Sequence, residues 1–219
     1  MASSSRTTLT LLCSLAVLCS SSAQHETLLR SCSSQTELLQ RLSADIKEAA
    51  ECVENLPSDW STGQTAALLT SVKNVTDMLH KHQLTDCQGA EPEKCRPAEV
   101  PGNGGLACVT VASRRFCKPL CNHGFDFGFL RMSRPFDECS EQTRYEWQSQ
   151  YVGGNRLAVC NEAAIQVSGA KTAYFPKYQD CLTTKSSSRL ENDVMDGFIA
   201  ELKSRGVQGE PQSACLVCG

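Results

Sequence analysis

The fold is decided by residues 107–129, which read ACVTVASRRFCKPLCNHGFDFGF. Ala107 to Phe116 has the composition of a strand. Three phenylalanines then recur at every second position, so that their side chains share one strand face: Phe125, Phe127 and Phe129. Eight of the 13 aromatic residues of the chain lie at positions 116–151. The segment favours a small β module with an aromatic core, and the alternative is an exposed aromatic stripe that binds a ligand.

The first residues of the chain have the form of a secretory signal peptide, which we place at residues 1–23. Arg6 is their only charged residue, an apolar run of 11 residues follows from Leu9 to Cys19, and Ser21 and Ala23 occupy the positions favoured for cleavage. The run is shorter than the roughly 20 residues of a membrane-spanning helix. We therefore expect a secreted, extracellular protein without a transmembrane segment.

The composition of the whole chain excludes several classes of protein. Its 219 residues carry a net charge of -3, which argues against a nucleic-acid binder. With 21% charged and 41% hydrophobic residues it is neither a disordered polyelectrolyte nor a multi-span membrane protein. The expected mature chain keeps 12 of the 14 cysteines, and in an oxidising compartment these predict six intrachain disulfides. They are Cys32, Cys52, Cys87, Cys95, Cys108, Cys117, Cys121, Cys139, Cys160, Cys181, Cys215 and Cys218.

Two helices are predicted in the N-terminal part. Each begins at a capping box, Ser34 with Glu37 and Ser61 with Gln64, and each is followed by apolar residues at helical spacing. Asn74 is an N-glycosylation acceptor, and it lies on the face of the second helix away from the apolar stripe. A short connection predicts that the two helices form an antiparallel hairpin.

The predicted hairpin suggests one disulfide. Cys32 precedes the first helix and Cys87 follows the second, and these two ends are neighbours in an antiparallel hairpin. We therefore expect Cys32 to bond Cys87 or Cys95, with Cys52 bonded elsewhere.

The C-terminal part contains one more predicted strand and one more helix. The strand is expected within Ala163 to Ala173. Ser188 and Glu191 form a third capping box, and the helix that follows ends before Gly206.

The predicted fold class is therefore α+β, with an N-terminal helical hairpin, a central small disulfide-rich antiparallel β module and a C-terminal helix. In terms of domains, residues 24–94 form the helical hairpin region and residues 95–181 the cysteine-rich β module. Residues 182–219 hold the C-terminal helix and a cysteine-containing tail.

Basic residues concentrate in the β module, where residues 96–160 carry a net charge of +2. They could form a patch for an anionic glycan or a lipid surface, although arginines on a β face are also often solvated or paired. We add Trp147, which lies among the aromatic residues at positions 116–151. The candidate ligand-binding residues are then Arg114, Arg115, Lys118, Arg131, Arg134 and Trp147.

No set of residues indicates catalysis. His123 and Asp126 could serve as an acid/base pair, but no nucleophile stands at a recognisable spacing, and a structural or exposed histidine is favoured. Cys215 and Cys218 have the spacing of a redox or zinc motif, yet in an exported chain a disulfide framework explains them better. We expect a protein that is not an enzyme and has neither metal nor cofactor.

Part of the β module resembles a known family. Cys121-Asn-His-Gly-Phe125, followed by Cys139, Trp147 and Cys160, resembles the later half of a complement control (sushi) module, and the resemblance covers residues 108–160. It implies a bond between Cys121 and Cys160 and a bond from Cys139 to Cys108 or Cys117. It also implies extracellular protein binding without catalysis.

A second resemblance is to secreted cephalotoxin-like cysteine-rich proteins, around Tyr151 to Cys160 and Ala173 to Pro176. We therefore expect a secreted, disulfide-stabilised, non-catalytic module that binds an extracellular protein or an anionic glycan. The alternative that the second resemblance implies is a toxin or host-defence effector that acts on membranes or cells.

Overall fold

The structure, a computed structural model, describes residues 35–52, 61–90, 92–149 and 154–219. It is an α+β protein with helices in the N-terminal and C-terminal parts of the chain and a central antiparallel sheet whose last strand follows the C-terminal helix. The predicted fold class is therefore confirmed. The chain divides between Ala67 and Leu68 into two compact units. The predicted signal peptide, the Ser34 cap and Cys32 lie outside the described residues.

Two long helices open the described chain: α1 at Gln35–Cys52 and α2 at Thr62–Gln83. The capping box at the start of α2 is confirmed, because the backbone N–H of Ser61 donates to Gln64 Oε1 at 2.9 Å and the backbone N–H of Gln64 donates to Ser61 Oγ at 3.2 Å. No residue of α2 is buried, and Asn74 is exposed. The antiparallel pairing of α1 with α2 stays a prediction.

The central hairpin differs from the single strand predicted over Ala107 to Phe116. Two strands, β1 at Gly104–Val111 and β2 at Arg114–Cys121, are joined by a tight turn at Ala112 and Ser113. Both turn residues have positive φ, 48° and 58°, as a two-residue turn between twisted strands requires. The sequence did not indicate this turn because Ala-Ser lacks the asparagine and glycine that normally occupy such positions.

Four further strands follow: β3 at Phe125–Phe127, β4 at Asp137–Cys139, β5 at Cys160–Glu162 and β6 at Pro211–Cys218. Strands β4 and β6 extend the hairpin into a four-stranded antiparallel sheet of order β4-β2-β1-β6. A separate two-stranded sheet pairs β3 with β5. The predicted tail is thus a strand of the central sheet.

The strand predicted within Ala163 to Ala173 is wrong. The chain leaves β5 after Glu162, continues as a loop and makes only a short 3-10 turn at Lys171–Ala173. Side-chain hydrogen bonds from the β3 region, rather than a strand ladder, hold this loop in place.

Two helices precede β6: a short α3 at Cys181–Lys185 and α4 at Ser188–Ser204. The predicted C-terminal helix is confirmed, but its capping box is not. Ser187 is the N-cap, no side-chain hydrogen bond caps the helix, and the Glu191 N–H donates to the Ser187 carbonyl at 2.9 Å. Gly206 follows the helix with a φ of +85°, as a C-terminal glycine does.

The central sheet has a different core on each face. On one face, Met195, Phe198 and Leu202 of α4 pack with apolar residues of β1, β2 and β6. On the other face, Trp147 and Leu157 pack with the cysteines of the bridges. The first core also contains the Cys181–Cys218 bond, so apolar burial and disulfides together stabilise both faces of the sheet.

The three alternating phenylalanines end in different environments. Phe127 is buried with Cys121 and Cys160, and Phe125 is partly buried against the same cluster. Phe129 lies beyond the end of β3 and is about half exposed. The aromatic-core interpretation thus holds for the first two, and not for Phe129.

Five disulfides connect the described elements: Cys87–Cys215, Cys95–Cys139, Cys108–Cys117, Cys121–Cys160 and Cys181–Cys218. The predicted Cys121–Cys160 bond is confirmed. The bond from Cys32 to Cys87 or Cys95 is wrong, because β6 and β4 supply the partners of Cys87 and Cys95.

The bond from Cys139 to Cys108 or Cys117 is also wrong, because Cys108 and Cys117 face each other across β1 and β2 and bond together. The six predicted bridges become five in the described chain, where Cys52 is free. Cys215 and Cys218 bond separate partners, which confirms their role in a framework.

Candidate functional site

Three of the predicted anion-binding residues lie in the interior. Arg115 donates to Thr110 Oγ1 at 2.9 Å, Lys118 pairs with Glu201, and Arg131 pairs with Asp137 at 2.7 Å between Nη2 and Oδ2. Each of these cations is at most 3% exposed. Their charged groups are therefore held in the interior by these partners and do not face solvent.

The other three candidates do not complete a patch. Arg114 forms two hydrogen bonds with the carboxylate of Glu138, at 2.8 and 2.7 Å. Trp147 is buried and donates from Nε1 to the Arg96 carbonyl at 2.8 Å. Only Arg134 is exposed. The expected exposed patch of six ligand-binding residues is therefore not formed, because charged partners and core packing occupy most of its members.

The suggested acid/base pair is not formed either. His123 is exposed, whereas the Asp126 carboxylate is buried and accepts its hydrogen bonds from other residues. Within the described residues no group of three or more histidine, cysteine, aspartate or glutamate side chains could hold a metal ion.

Asp126 is the most connected carboxylate of the β3 region. Its two oxygens accept hydrogen bonds from the backbone N–H groups of Phe127 at 2.8 Å and Val167 at 3.0 Å. They also accept from Ser168, through N–H at 3.1 Å and Oγ at 2.9 Å, and from the Tyr174 phenol at 2.5 Å. One side chain thus fastens the loop that follows β5 to the strand β3.

These hydrogen bonds change two pKa values. Burial alone raises the pKa of Asp126, but the hydrogen bonds from Tyr174, Val167, Ser168 and Phe127 together outweigh it and lower the pKa to about 2. Burial, assisted by the hydrogen bond to Asp126, raises the pKa of Tyr174 to about 12. Asp126 is therefore ionised and Tyr174 protonated at neutral pH, which suits a structural hydrogen bond.

Two more contacts fix the loop after β5. Gln166 Nε2 donates to the carbonyls of Asn122 at 3.1 Å and Phe125 at 2.9 Å. Gly169 lies so close to the Phe127 ring that a Cβ atom would come within 2.5 Å of it. Only glycine can therefore occupy that position without displacing the aromatic ring.

The loop between β3 and β4 is held beside this first loop. The backbone N–H of Arg131 donates to the Ser168 carbonyl at 2.6 Å, and its guanidinium donates to the Leu157 carbonyl at 2.7 Å. Gly128 N–H donates to the Val159 carbonyl at 3.0 Å. Because the Arg131 side chain is directed inward, the residues on either side of it can face outward.

Exposed apolar side chains cover the two joined loops. Their exposed fractions run from 49% to 72%, and none of them carries a charge. We call this set the apolar tip: Phe129, Leu130, Met132, Ile165 and Val167. Concentrated exposed apolar surface on a monomer marks an interaction site more often than scattered apolar residues do. The apolar tip is therefore the candidate functional site.

Four of these residues carry no sequence pattern that predicts a binding site: Leu130, Met132, Ile165 and Val167. Isolated apolar residues in a cysteine-rich segment resemble core residues, and the predicted strand within Ala163 to Ala173 covers the second loop. The available signal was the turn-forming composition after Met132 and after Val167, with Ser-Arg-Pro and Ser-Gly.

No protein-family model, no curated protein and no solved structure matches the chain. Among the described residues, none of the helices has the length and apolar character that crossing a membrane requires.

Proposed function

We propose that this protein is a secreted, non-catalytic binding module that engages an extracellular partner protein through the apolar tip. The single observation that carries the proposal is the exposure of five apolar side chains on two loops that hydrogen bonds hold in one conformation. Secretion is supported by the signal-like residues 1–23 and by five disulfides, which form preferentially in oxidising compartments.

The fixed loops favour binding because they lower the entropy that a complex must lose. A surface already held in its bound conformation binds more tightly than one that must order on contact. Asp126 and Arg131 hold the loops from beneath, through buried side chains that a partner would not touch.

The chemistry of the tip favours a protein over an anionic glycan. A sulfated glycan requires exposed cations, whereas Arg115, Lys118 and Arg131 are buried and Arg114 is paired. Phenylalanine, leucine, methionine, isoleucine and valine instead suit the desolvated centre of a protein interface.

The binding experiment uses the fluorescently labelled full mature protein on cultured cells and extracellular matrix. Two variants place a charge in the tip, Leu130→Glu and Ile165→Glu, and Leu182→Glu is the matched control because Leu182 is also exposed but lies in α3. We expect at least tenfold weaker binding for both tip variants and unchanged binding for the control, because desolvating a carboxylate in an apolar contact is unfavourable. Equal binding by all four proteins would refute the proposal.

The second candidate is a secreted effector that acts on membranes. It is favoured by the apolar stripe of α2, where Leu68, Leu69, Val72 and Leu79 are exposed. A dye-leakage assay on neutral and anionic vesicles separates the two functions. Leakage that Leu69→Glu abolishes supports the effector, whereas intact vesicles at high protein concentration support the binding module.

A further inference from the structure

A cleft of about 350 Å³ lies between the β1–β2 face of the central sheet and helix α4. Its volume falls at the lower end of the range for small-molecule pockets, about 300–1,000 Å³. None of its lining residues belongs to the apolar tip. The lining is mainly apolar, with Leu120, Phe175, Leu190, Val194 and Phe198 among its residues.

Two charged residues line this cleft: the exposed Asp193, which pairs with Arg189 at 4.0 Å, and the buried Lys118. The Lys118 side chain is 3% exposed, and its Nζ donates to Thr172 Oγ1 at 2.8 Å and to a carboxylate oxygen of Glu201. Lys118 and Thr172 line the cleft, and Glu201 does not. An ammonium group has three N–H donors, and within the described part of the chain Lys118 makes no third hydrogen bond. Nζ also lies 5.9 Å from the centroid of the Phe198 ring, which lines the same cleft. One N–H therefore remains without an oxygen acceptor and can donate to an acceptor bound in the cleft.

The pairing with Glu201 determines which acceptor fits. The Lys118–Glu201 pair has no net charge, so an anion bound beside it would leave one negative charge uncompensated in an apolar site. A neutral acceptor, such as a carbonyl oxygen, can accept the remaining N–H without that penalty.

Helix α4 also has an unexpected residue at the cleft. Gly197 is the tenth residue of this 17-residue helix and lines the cleft, although glycine destabilises a helix interior relative to alanine. A Cβ atom at Gly197 would meet nothing within 4 Å, so close packing does not require the glycine. Leu190, Val194 and Gly197 follow one another at the spacing of one helix face. A larger side chain at position 197 would therefore project over the cleft.

We propose that the cleft between the sheet and α4 binds a small, neutral, mainly apolar molecule that carries a carbonyl-type acceptor for Lys118 Nζ. Gly197 keeps the cleft open, and the apolar lining accepts the body of the ligand. This site is separate from the apolar tip, so the module has two distinct binding surfaces.

The test titrates the full mature protein with prodan, a compact neutral naphthyl ketone whose fluorescence shifts to shorter wavelength in apolar surroundings. The Gly197→Leu variant places a side chain over the cleft. Ala200→Leu is its matched control, since Ala200 is exposed on the same helix and does not line the cleft. We expect prodan affinity to fall at least tenfold in Gly197→Leu and to stay within twofold of the parent protein in Ala200→Leu.

Two results would overturn the proposal. One is the absence of any prodan shift with the parent protein, and the other is equal affinity in the parent and Gly197→Leu proteins. The Leu130→Glu variant of the apolar tip must leave the prodan affinity unchanged, and a parallel loss there would show that the probe binds the tip instead. The experiments therefore distinguish failure of the proposed ligand site in the cleft from failure of the proposed partner-binding site at the apolar tip.

The role of Lys118 is tested with a second probe, dimethylaminonaphthalene, which lacks the carbonyl group. We expect the parent protein to bind prodan about fivefold to tenfold more tightly than this probe, as one additional hydrogen bond allows. Lys118→Met with Glu201→Gln, which leaves no unpaired charge, should remove that preference. Equal affinity of both probes for the parent protein would refute the assigned acceptor.

Discussion

The Tyr174 phenol donates a hydrogen bond to Asp126 Oδ1 at 2.5 Å, and its oxygen accepts one from the Gly169 N–H at 2.6 Å. This pair links the two-stranded β3–β5 sheet to the loop that carries Ile165 and Val167. The acceptor is ionised at neutral pH, because the hydrogen bonds to Asp126 lower the pKa of its carboxyl to about 2. The proposed binding surface therefore depends on a buried carboxylate that does not itself reach the partner.

The first prediction concerns the contribution of Asp126 to the stability of the folded protein at low pH. The folded-state pKa of Asp126, about 2, lies below its ordinary value of 3.8, so the stabilisation from this group is fully present above about pH 4 and disappears as the pH falls through about 2. Asp126→Asn should lower the free energy of unfolding by about 1–2 kcal/mol at neutral pH, after allowance for solvent screening. Urea unfolding at several pH values measures this difference.

The difference between the parent protein and Asp126→Asn should close between about pH 4 and about pH 2. Asp196→Asn, a change at an exposed aspartate of α4, should leave stability unchanged throughout. A difference that persists undiminished at pH 2 would contradict the ionised role of Asp126.

The second prediction concerns the buried pair of Lys118 and Glu201. Lys118→Met alone leaves a nearly buried carboxylate without its cation and should cost about 3–5 kcal/mol of unfolding free energy. Lys118→Met combined with Glu201→Leu should cost much less, because no charge is left unpaired. The exposed pair of Arg156 and Glu99 supplies the control, and Arg156→Met should cost less than about 1 kcal/mol. Additive effects of the two buried changes would show that the pair is not coupled.

The third prediction concerns the turn between β1 and β2. Ala112 and Ser113 both adopt positive φ, which costs of order 1 kcal/mol for a residue other than glycine. Replacing them by Asn and Gly, the residues preferred in such turns, should therefore raise the free energy of unfolding by about 1–2 kcal/mol. A thermal or urea melt measures the gain, and a loss of stability would mean that the turn has another conformation.

The fourth prediction compares two disulfides. Cys87–Cys215 joins residues 128 apart in sequence, whereas Cys108–Cys117 joins residues 9 apart on facing strands. Loop-closure entropy predicts that removal of the long-range bridge costs about 4–5 kcal/mol and removal of the short one about 3 kcal/mol. Paired Cys→Ala variants in urea unfolding measure the two costs, and the opposite order would contradict the entropic explanation.

The sequence predicted those parts of the fold that depend on local signals. The cap at Ser61 and the end of α4 before Gly206 were predicted from residue spacing. The bond from Cys121 to Cys160 joins residues 39 apart and was predicted only from the resemblance to a sushi module. Bridges that depend on the central sheet were missed, because the pairing of β6 with β1 sets the position of Cys215 beside Cys87.

The candidate site was harder to predict because exposure is a property of the folded chain. Arg115 and Arg131 belong to a basic segment that resembles a binding patch, yet hydrogen-bond partners distant in sequence hold both side chains in the core. Conversely, Leu130 and Ile165 are apolar residues of the kind that normally lies in a core, yet both are exposed. Asp126 and Arg131 hold the loops that carry them in a conformation that directs the side chains of Leu130 and Ile165 outward. Neither outcome follows from spacing along the chain.

Site-specific photo-crosslinking shows directly whether the apolar tip contacts a partner protein. A photoreactive phenylalanine analogue is placed at position 130 in the apolar tip, or at position 182 in α3 as the control, and the full mature protein is irradiated on cells and in extracellular matrix. We expect a discrete protein adduct from position 130 that is absent from position 182 and is competed away by unlabelled parent protein but not by Leu130→Glu. Identical adducts from both positions, or no protein adduct from position 130, would contradict it.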